Sequence, residues 1–180
     1  MIIADGRCNV NIYTSFYLWY SNNHRGEGQS MRISTKCSIA VHCILFLHEY
    51  GEEQKVTSGL LALSTGCNPV VIRNITSSLK KAGIIESASG RGGMRLACPI
   101  QEITLYRVCM VVEPHCLEDL VGLHSAPSSL CPIGKNIHAT LQPSYDKLRE
   151  NMRAALDAIT LLDIVEDYQK IKDEKMSTSS

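Results

Sequence analysis

The stretch NPVVIRNITSSLKKAGIIESASGRGGMRLAC, residues 68–98, decides the fold of this 180-residue chain. Asn68 offers a side-chain oxygen as a helix N-cap, and Pro69 suits the first helical turn, where its missing N–H has no partner to lose. One helix face is apolar and comprises Val71, Ile72, Ile75, Leu79 and Ala82. This spacing predicts an amphipathic helix from Pro69 to Ala82.

The opposite face of that helix is polar and basic. It carries Arg73, Asn74, Ser77 and Lys80. A second short helix is predicted just before it, because Thr57 or Ser58 can cap a segment that Gly66 ends. Two short helices joined by a tight turn, the second with a basic outer face, are typical of a helix-turn-helix. We therefore expect these four side chains to face the major groove of DNA.

The rest of the stretch predicts a β-hairpin. Residues 84–88 and 94–98 have the composition of short strands, and the glycine-rich residues 89–93 predict a tight turn between them. A hairpin directly after a recognition helix is the wing of a winged helix-turn-helix. It favours DNA binding over the alternative of an ordinary helical pair with a solvated, charged face.

The tip of the predicted wing suits a phosphate backbone. Arg91 and Arg95 supply positive charge and N–H donors for phosphate oxygens or for the minor groove. Gly92 and Gly93 allow the backbone to approach a phosphate closely because they have no side chain. With the largely apolar helix expected over residues 32–50, residues 31–99 form a predicted DNA-binding domain.

The charge of the chain is zero overall but unevenly distributed. Of 18 basic and 18 acidic side chains, residues 31–98 hold 8 and 4, a net of +4, and residues 99–180 hold 8 and 12, a net of −4. This division predicts a basic part that binds DNA and an acidic part that does not. No apolar run approaches the roughly 20 residues of a membrane span, so we expect a cytoplasmic protein without membrane contact. No catalytic constellation or nucleotide-binding loop is present, so we expect no enzyme.

Five segments carry a family likeness. They are Met31–Lys36, Asn68–Arg73, Leu79–Ile85, Gly90–Gly93 and Cys131–Gly134. In order and spacing they resemble the Rrf-type bacterial transcription regulators, the family of IscR, NsrR and CymR. The resemblance covers nearly all of residues 31–167. It implies a mainly α fold with a small β wing and a long C-terminal dimerisation helix, and a homodimer that binds an inverted-repeat operator in double-stranded DNA, most often as a repressor.

Residues 100–168 are predicted to form a sensor loop and dimerisation helices. Thr104 can cap a helix that ends near Pro114, and a long amphipathic segment runs from Gly134 to Ile159. Its apolar positions form a heptad-like seam: Leu141, Tyr145, Leu148, Met152, Ala155 and Ile159. Such a seam suits a second copy of the chain. The alternative is packing on the chain's own N-terminal domain.

Two further features concern the ends of these elements. Pro143 should kink the long helix or begin its main part, because a proline inside a helix clashes with the preceding turn. Thr160 begins a last short helix to Tyr168, with Asp163 as its partner in a capping box. Residues 169–180 are predicted to be a flexible tail.

The cysteines leave two kinds of signal open. Family members with an iron–sulfur cluster have three closely spaced cysteines before the dimerisation helix, whereas this loop holds Cys116 and Cys131 with fourteen residues between them. The chain therefore resembles most the members that lack this motif, and we favour no cofactor and no metal. An iron–sulfur or other metal-sensing regulator, with Cys116 and Cys131 as ligands, is the alternative.

A thiol-redox response is the second kind of signal. Cys67 lies just ahead of the recognition helix, whose N-terminus favours a thiolate. Cys98 closes the wing, and Cys37 lies on the first helix. The alternative is that Cys67 and Cys98 are incidental and that Cys37, like other apolar-face cysteines, is a small buried hydrophobe. A winged-helix module that binds proteins and has lost DNA is a further alternative for the whole chain.

Residues 1–30 match none of these patterns. They hold five of the ten aromatic residues, and the tract Arg25-Gly26-Glu27-Gly28 is compatible with a purine-rich ribosome-binding site upstream of Met31. We expect residues 1–30 to be a mis-called, non-native extension, the alternative being an N-terminal arm that packs on the domain. The intact mass of the natively expressed protein distinguishes the two.

Overall fold

The computed structural model describes residues 35–88, 92–118 and 121–178. The expectation of a mis-called extension over residues 1–30 lies outside the described residues. The described part contains α1 Thr35–Tyr50, α2 Ser58–Thr65, α3 Pro69–Lys81, β1 Ile85–Ser87, β2 Met94–Leu96, α4 Leu105–Val112, α5 Pro132–Asp157 and α6 Leu161–Thr178. A turn of 3-10 helix, Ile100–Glu102, precedes α4. The predicted mainly α fold with a small β wing is confirmed.

Local capping fixes the helix-turn-helix formed by α2 and α3. The Thr57 hydroxyl accepts a hydrogen bond from the Leu60 amide at 3.2 Å at the start of α2. Gly66 ends α2 with a φ of 67°, a left-handed conformation that glycine adopts at little cost. The Asn68 Oδ1 accepts a hydrogen bond from the Val70 amide at 2.8 Å, and Pro69 is the first residue of α3. The caps predicted from the sequence are confirmed.

The wing is a two-stranded antiparallel hairpin. Glu86 on β1 lies opposite Arg95 on β2. The strands are shorter than the predicted residues 84–88 and 94–98, although the Ala97 amide still donates to the Ile84 carbonyl at 3.0 Å. The Met94 amide donates to the Val56 carbonyl at 2.9 Å, so the segment before α2 supports the wing from its other side.

One apolar core unites the winged helix with the elements that follow it. Its buried side chains include Ile44, Leu47, Ile72, Leu79, Ile84, Ile103, Val108 and Leu161. The predicted boundary at residues 99 and 100 therefore does not separate two cores. The physical reason is long-range: the Leu161 amide donates to the Ile103 carbonyl at 2.8 Å, which brings the start of α6 beside the start of α4. α4 itself packs against α1 and α3.

α5 lies mostly outside this core. Leu156 is its one buried residue among those the structure describes. The helix is continuous from Pro132 to Asp157 and passes through Pro143, which therefore does not begin its main part. Its C-terminal end is anchored on α4, because the Thr104 hydroxyl donates to Asp157 Oδ1 at 3.0 Å. None of the described helices is both long enough and apolar enough to cross a membrane.

The last helix is longer than the sequence indicates. The predicted capping box is present, with the Thr160 amide donating to Asp163 Oδ2 at 2.8 Å. The predicted end of this helix at Tyr168 is wrong, because α6 continues to Thr178 through the segment expected to be a tail. Gln169 and Lys172 donate to the two carboxylate oxygens of Glu49 at 3.1 and 2.9 Å and so attach this extension to α1. The Lys172 hydrogen bond holds the pKa of Glu49 below its ordinary value.

Candidate nucleic-acid interface

The outer face of α3 is exposed over its whole length. The four side chains predicted for the major groove, Arg73, Asn74, Ser77 and Lys80, are all exposed. Val71, which the sequence places on the buried face, is 37% exposed, and its neighbour Val70 is 53% exposed. Val71 therefore lies at the margin of the apolar face and is not part of the core. The exposed surface of α3 is therefore partly apolar at its N-terminal end and basic further on.

A groove of about 400 Å³ lies between α3 and the base of the wing. The polar and basic side chains that line it come from the start of α2 and from α3: Thr57, Ser58, Arg73, Thr76, Ser77 and Lys80. Gly93 and Met94 of the wing form the other side. Arg73, Ser77 and Lys80 line this groove together because they share one face of α3, whereas Asn74 is exposed but does not line the groove.

Two of the predicted basic side chains have partners within the protein. The Lys80 Nζ donates to the Ser87 Oγ at 3.0 Å, which ties α3 to the first strand of the wing. Arg95 pairs with Glu86 across the hairpin, with Nε at 2.8 Å and Nη2 at 2.7 Å from the same carboxylate oxygen. The register of the hairpin produces this pair, because it places Arg95 directly opposite Glu86.

Gly92 and Gly93 of the wing have positive φ. The atoms that lie closest to them belong to the segment before α2. Gly93 has a φ of 104°, and a Cβ added there would lie 2.8 Å from the Val56 carbonyl oxygen. Gly92 has a φ of 68°, and an added Cβ would lie 3.4 Å from the Lys55 Nζ. Gly93 is therefore required for the approach of the wing to the segment before α2. Arg91 lies outside the described residues.

Three residues of this surface were not predicted from the sequence to belong to a nucleic-acid interface. Lys55 lies beside Gly92, and Thr57 and Ser58 line the groove at the start of α2. Thr57 and Ser58 were recognised only as helix caps. A signal was available, since a lysine followed by hydroxyl side chains at a helix N-terminus is a common phosphate-binding arrangement. The contact of this segment with the wing could not be predicted from local spacing.

The three cysteines considered for redox chemistry lie in different surroundings. Cys67 is half-buried, and its Sγ lies 3.5 Å from the Thr65 carbonyl oxygen in the turn before α3. Cys98 is half-buried beside the guanidinium of Arg107, with 3.9 Å from Nη1 to Sγ. Cys37 is buried with Cys109 and Cys116 in a cluster separate from the main core. The structure thus does not bring Cys37 together with Cys67 or Cys98.

Comparison with known proteins identifies the family. The sequence pattern of the Rrf2 family, described as iron-dependent transcriptional regulators, matches residues 33–167. The chain belongs to the Rrf2 family. Rrf2 proteins are transcription regulators and not enzymes, and this Rrf2 chain is a transcription regulator with DNA-binding relatives.

Individual Rrf2 relatives agree with this assignment. YwnA of Bacillus subtilis, named as an HTH-type transcriptional regulator, is 30% identical over 133 residues, which cover 74% of this chain and 96% of YwnA. The HTH-type transcriptional regulator NsrR of Geobacillus kaustophilus is 28% identical and covers 79% of this chain and 95% of its own. A solved transcriptional regulator of Lactobacillus plantarum is 31% identical, with a TM-score of 0.61 over 79% of this chain and 97% of its own. IscR of T. potens shares the fold at 21% identity, with a TM-score of 0.59 over 81% and 93%.

In the part of this Rrf2 chain that the structure describes, the donor atoms do not fit the iron that the family description implies. Within residues 35–88, 92–118 and 121–178, no three His, Cys, Asp or Glu side chains are placed to hold a metal ion. Cys116 is buried with Cys37 and Cys109, whereas Cys131 is the half-buried N-cap residue of α5. A cluster needs several thiolates around one point, and the two cysteines proposed as ligands belong to different local surroundings.

Proposed function

We propose that this Rrf2 protein is a cytoplasmic repressor that binds an inverted-repeat operator as a homodimer. The observation that carries the proposal is the groove between α3 and the wing, where exposed Arg73 and Lys80 face the same space as the start of α2. A recognition helix contacts base edges while neighbouring elements hold the phosphates. A cleft of this shape and charge suits one strand of a DNA duplex.

Each part of the surface has a distinct proposed role. Arg73, Asn74, Ser77 and Lys80 contact the edges of bases in the major groove, and the exposed Val70 and Val71 suit the methyl groups of thymine. Lys55, Thr57 and Ser58 bind a phosphate beside the wing. In the wing, Arg91 and Arg95 bind phosphate or the minor groove, and Gly92 and Gly93 shape the backbone that carries them. Arg95 exchanges its partner Glu86 for the nucleic acid.

Dimerisation is proposed from α5. The seam predicted in the sequence is largely uncovered in one protomer, and Leu148 is 42% exposed. A helix buries such a seam most readily against the same seam of a second copy. Two copies related by a two-fold axis present two recognition helices, and an inverted repeat has the same symmetry.

The test is the salt dependence of DNA binding by the reduced dimer, using a duplex selected from random DNA. Each lost phosphate contact should lower the slope of log affinity against log salt by about 0.9. Arg91→Ala with Arg95→Ala should reduce the slope by roughly 2, and Arg73→Ala should weaken binding roughly 10-fold to 100-fold while relaxing base preference. Lys147→Ala, an exposed change on α5, is the matched control. If no duplex is retained at low salt, DNA binding is excluded and the protein-interaction module is favoured.

A thiol response is part of the proposal and rests on Cys67. Its sulfur lies in the turn between α2 and α3, so a negatively charged oxidation product there would repel the phosphates beside the recognition helix. Binding of the selected duplex before and after peroxide treatment tests this. Peroxide should weaken binding by the wild type and leave Cys67→Ser unchanged, with Cys98→Ser behaving as the wild type. Equal affinity of oxidised and reduced wild type contradicts the response.

A further inference from the structure

Three cysteines that are distant in sequence form one buried cluster. Cys37 lies in the first turn of α1, Cys109 lies in α4, and Cys116 lies in the turn after α4. Their exposed fractions are 2%, 1% and 6%. The surrounding side chains are apolar: Leu105, Met110, Val112 and Leu117. A cysteine that acts only as a small hydrophobe needs no second thiol beside it, whereas this cluster brings three together.

Two thiols of this cluster, those of Cys37 and Cys109, influence each other's titration. Their side-chain interaction lowers the pKa of the Cys109 thiol and, together with burial, raises the pKa of Cys37. Cys116 is directed elsewhere, because its Sγ lies 4.0 Å from the Met110 Sδ. The pair Cys37 and Cys109 thus combines one sulfur that favours the thiolate with one that keeps its proton.

One ion pair joins the two helices beside the cysteine pair. Lys36, next to Cys37, lies 2.8 Å from Glu113 at the C-terminal end of α4. Within the end of α4 and the turn after it, the Glu113 amide donates to the Cys109 carbonyl at 2.8 Å, and the Cys116 amide donates to the Glu113 carbonyl at 3.0 Å. The start of α1 therefore contacts the end of α4 beside the cysteine cluster.

We propose that Cys37 and Cys109 are a modification site that closes to an intramolecular disulfide when a hydroperoxide is the oxidant. The proposal does not depend on DNA binding and is distinct from the response assigned to Cys67. It also leaves Cys43 out, because burial raises the pKa of that thiol to about 12 and its surroundings belong to the main core.

The reaction has two steps. The Cys109 thiolate attacks one oxygen of hydrogen peroxide, the O–O bond breaks, and the leaving hydroxide takes a proton to become water. Cys109 is then a sulfenic acid. The Cys37 sulfur attacks the Cys109 sulfur, the S–O bond breaks, and a second water leaves with the Cys37 proton. Two thiols are oxidised, one peroxide is reduced to two waters, and one S–S bond forms.

The disulfide has a measurable consequence for the fold. It joins residues separated by the whole winged helix, so it restricts the unfolded chain far more than it changes the folded one. The thermal midpoint of unfolding should rise by about 5–10 °C on oxidation and return on reduction. The joined ends of α1 and α4 should also become resistant to local opening.

The experiment uses the full chain, treated with a small excess of hydrogen peroxide and then alkylated under denaturing conditions. We expect the loss of two hydrogen atoms in the intact mass, a linked peptide pair containing Cys37 and Cys109, and the rise in thermal midpoint. Cys43→Ser, a matched change of a buried cysteine on the same helix, should retain all three results. Cys37→Ser and Cys109→Ala should abolish the linked pair and the rise.

Two outcomes overturn the proposal. One is a linked pair involving Cys116, Cys43 or Cys67 in place of Cys37 with Cys109. The other is full alkylation of Cys37 and Cys109 at a peroxide dose that oxidises the half-buried Cys131. Because the disulfide is read by mass and thermal midpoint, both outcomes are independent of whether the selected duplex binds. Peptide mapping of the wild type decides the question even if a variant does not fold.

Discussion

The winged-helix core and the helix α5 use apolar side chains in opposite ways. In the core, Ile44, Ile72 and Leu79 are fully buried within one protomer. In α5, Leu148 is 42% and Ile133 is 71% exposed, although the helix has a regular apolar seam. Both regions follow the same helical spacing. Amphipathic spacing therefore shows which face of a helix is apolar and does not show what covers that face.

The two regions also differ in what surrounds their charges. The exposed basic side chains of α3 lie beside the open groove at the wing. α5 carries four basic and three acidic side chains, of which Arg149 pairs with Asp146 along the helix. A fold that displays clustered basic groups is suited to a nucleic acid. A helix of mixed charge with an uncovered apolar seam is suited to another helix.

The largest expected effect is dissociation of the proposed dimer. Leu148→Glu with Met152→Glu places two carboxylates per protomer in the seam, where burial of an unpaired charge is costly. We expect the dimer to dissociate at least roughly 1,000-fold more readily, about 4 kcal/mol. Analytical ultracentrifugation measures this. Lys147→Glu, on the exposed side of the same turn, should leave the dimer intact. A stable dimer of the double variant would show that this seam does not join the protomers.

The next effect tests the apolar core that is buried within one protomer. Leu79 is 0% exposed at the centre of α3, so Leu79→Ala removes a fully buried side chain. We expect a loss of about 2–5 kcal/mol in the free energy of unfolding, from lost burial and the cavity that remains. Urea unfolding of the protein at a fixed concentration measures it. Leu63→Ala is the control, since Leu63 is 82% exposed and should change stability by less than about 0.5 kcal/mol.

A smaller effect concerns the ion pair between Glu86 and Arg95 in the wing. Glu86→Gln removes the carboxylate that pairs with Arg95 and leaves the hairpin register in place. Affinity for the selected duplex should rise roughly threefold to fivefold, because Arg95 is released and one negative charge leaves the surface. The free energy of unfolding should change by less than about 0.5 kcal/mol, since exposed ion pairs contribute little. Weaker DNA binding by Glu86→Gln would show that the pair positions Arg95 productively.

The smallest effect concerns the extension of α6 that packs on α1. The pKa of Glu49 is lowered chiefly by the hydrogen bond from Lys172. The contact therefore stabilises the fold above the ordinary carboxyl pKa, about 4.3, and this stabilisation is lost as pH falls through the lowered value. Hydrogen exchange of residues 169–178, corrected for intrinsic rates, should lose protection over that range. In Glu49→Gln the step should be absent, and identical pH profiles of the two proteins would contradict the assignment.

Much of the fold could be predicted because its signals are local. Thr57, Asn68 and Thr160 cap helices through contacts no more than three residues away, so their positions are readable from spacing. The exposure of the four polar side chains of α3 could also be predicted, because it follows from helical spacing within that helix. The partners of Arg95 and Gly93 could not be predicted in this way, because the first depends on hairpin register and the second on a segment 37 residues earlier. The role of Lys55 beside the wing was missed for the same reason.

The helix-turn-helix, the wing and the apolar seam could be read from the sequence alone, since each rests on caps, turns and periodicity within about twenty residues. The family was recognised in another way, from the resemblance of five segments between Met31 and Gly134. The packing of the helices decides that α4 and α6 complete the core, that α6 extends over α1 through Glu49, and that Cys37 and Cys109 share one cluster across 72 positions of the chain. Contacts between distant segments depend on how whole helices pack. Local sequence fixes the faces of those helices and leaves their partners to the fold.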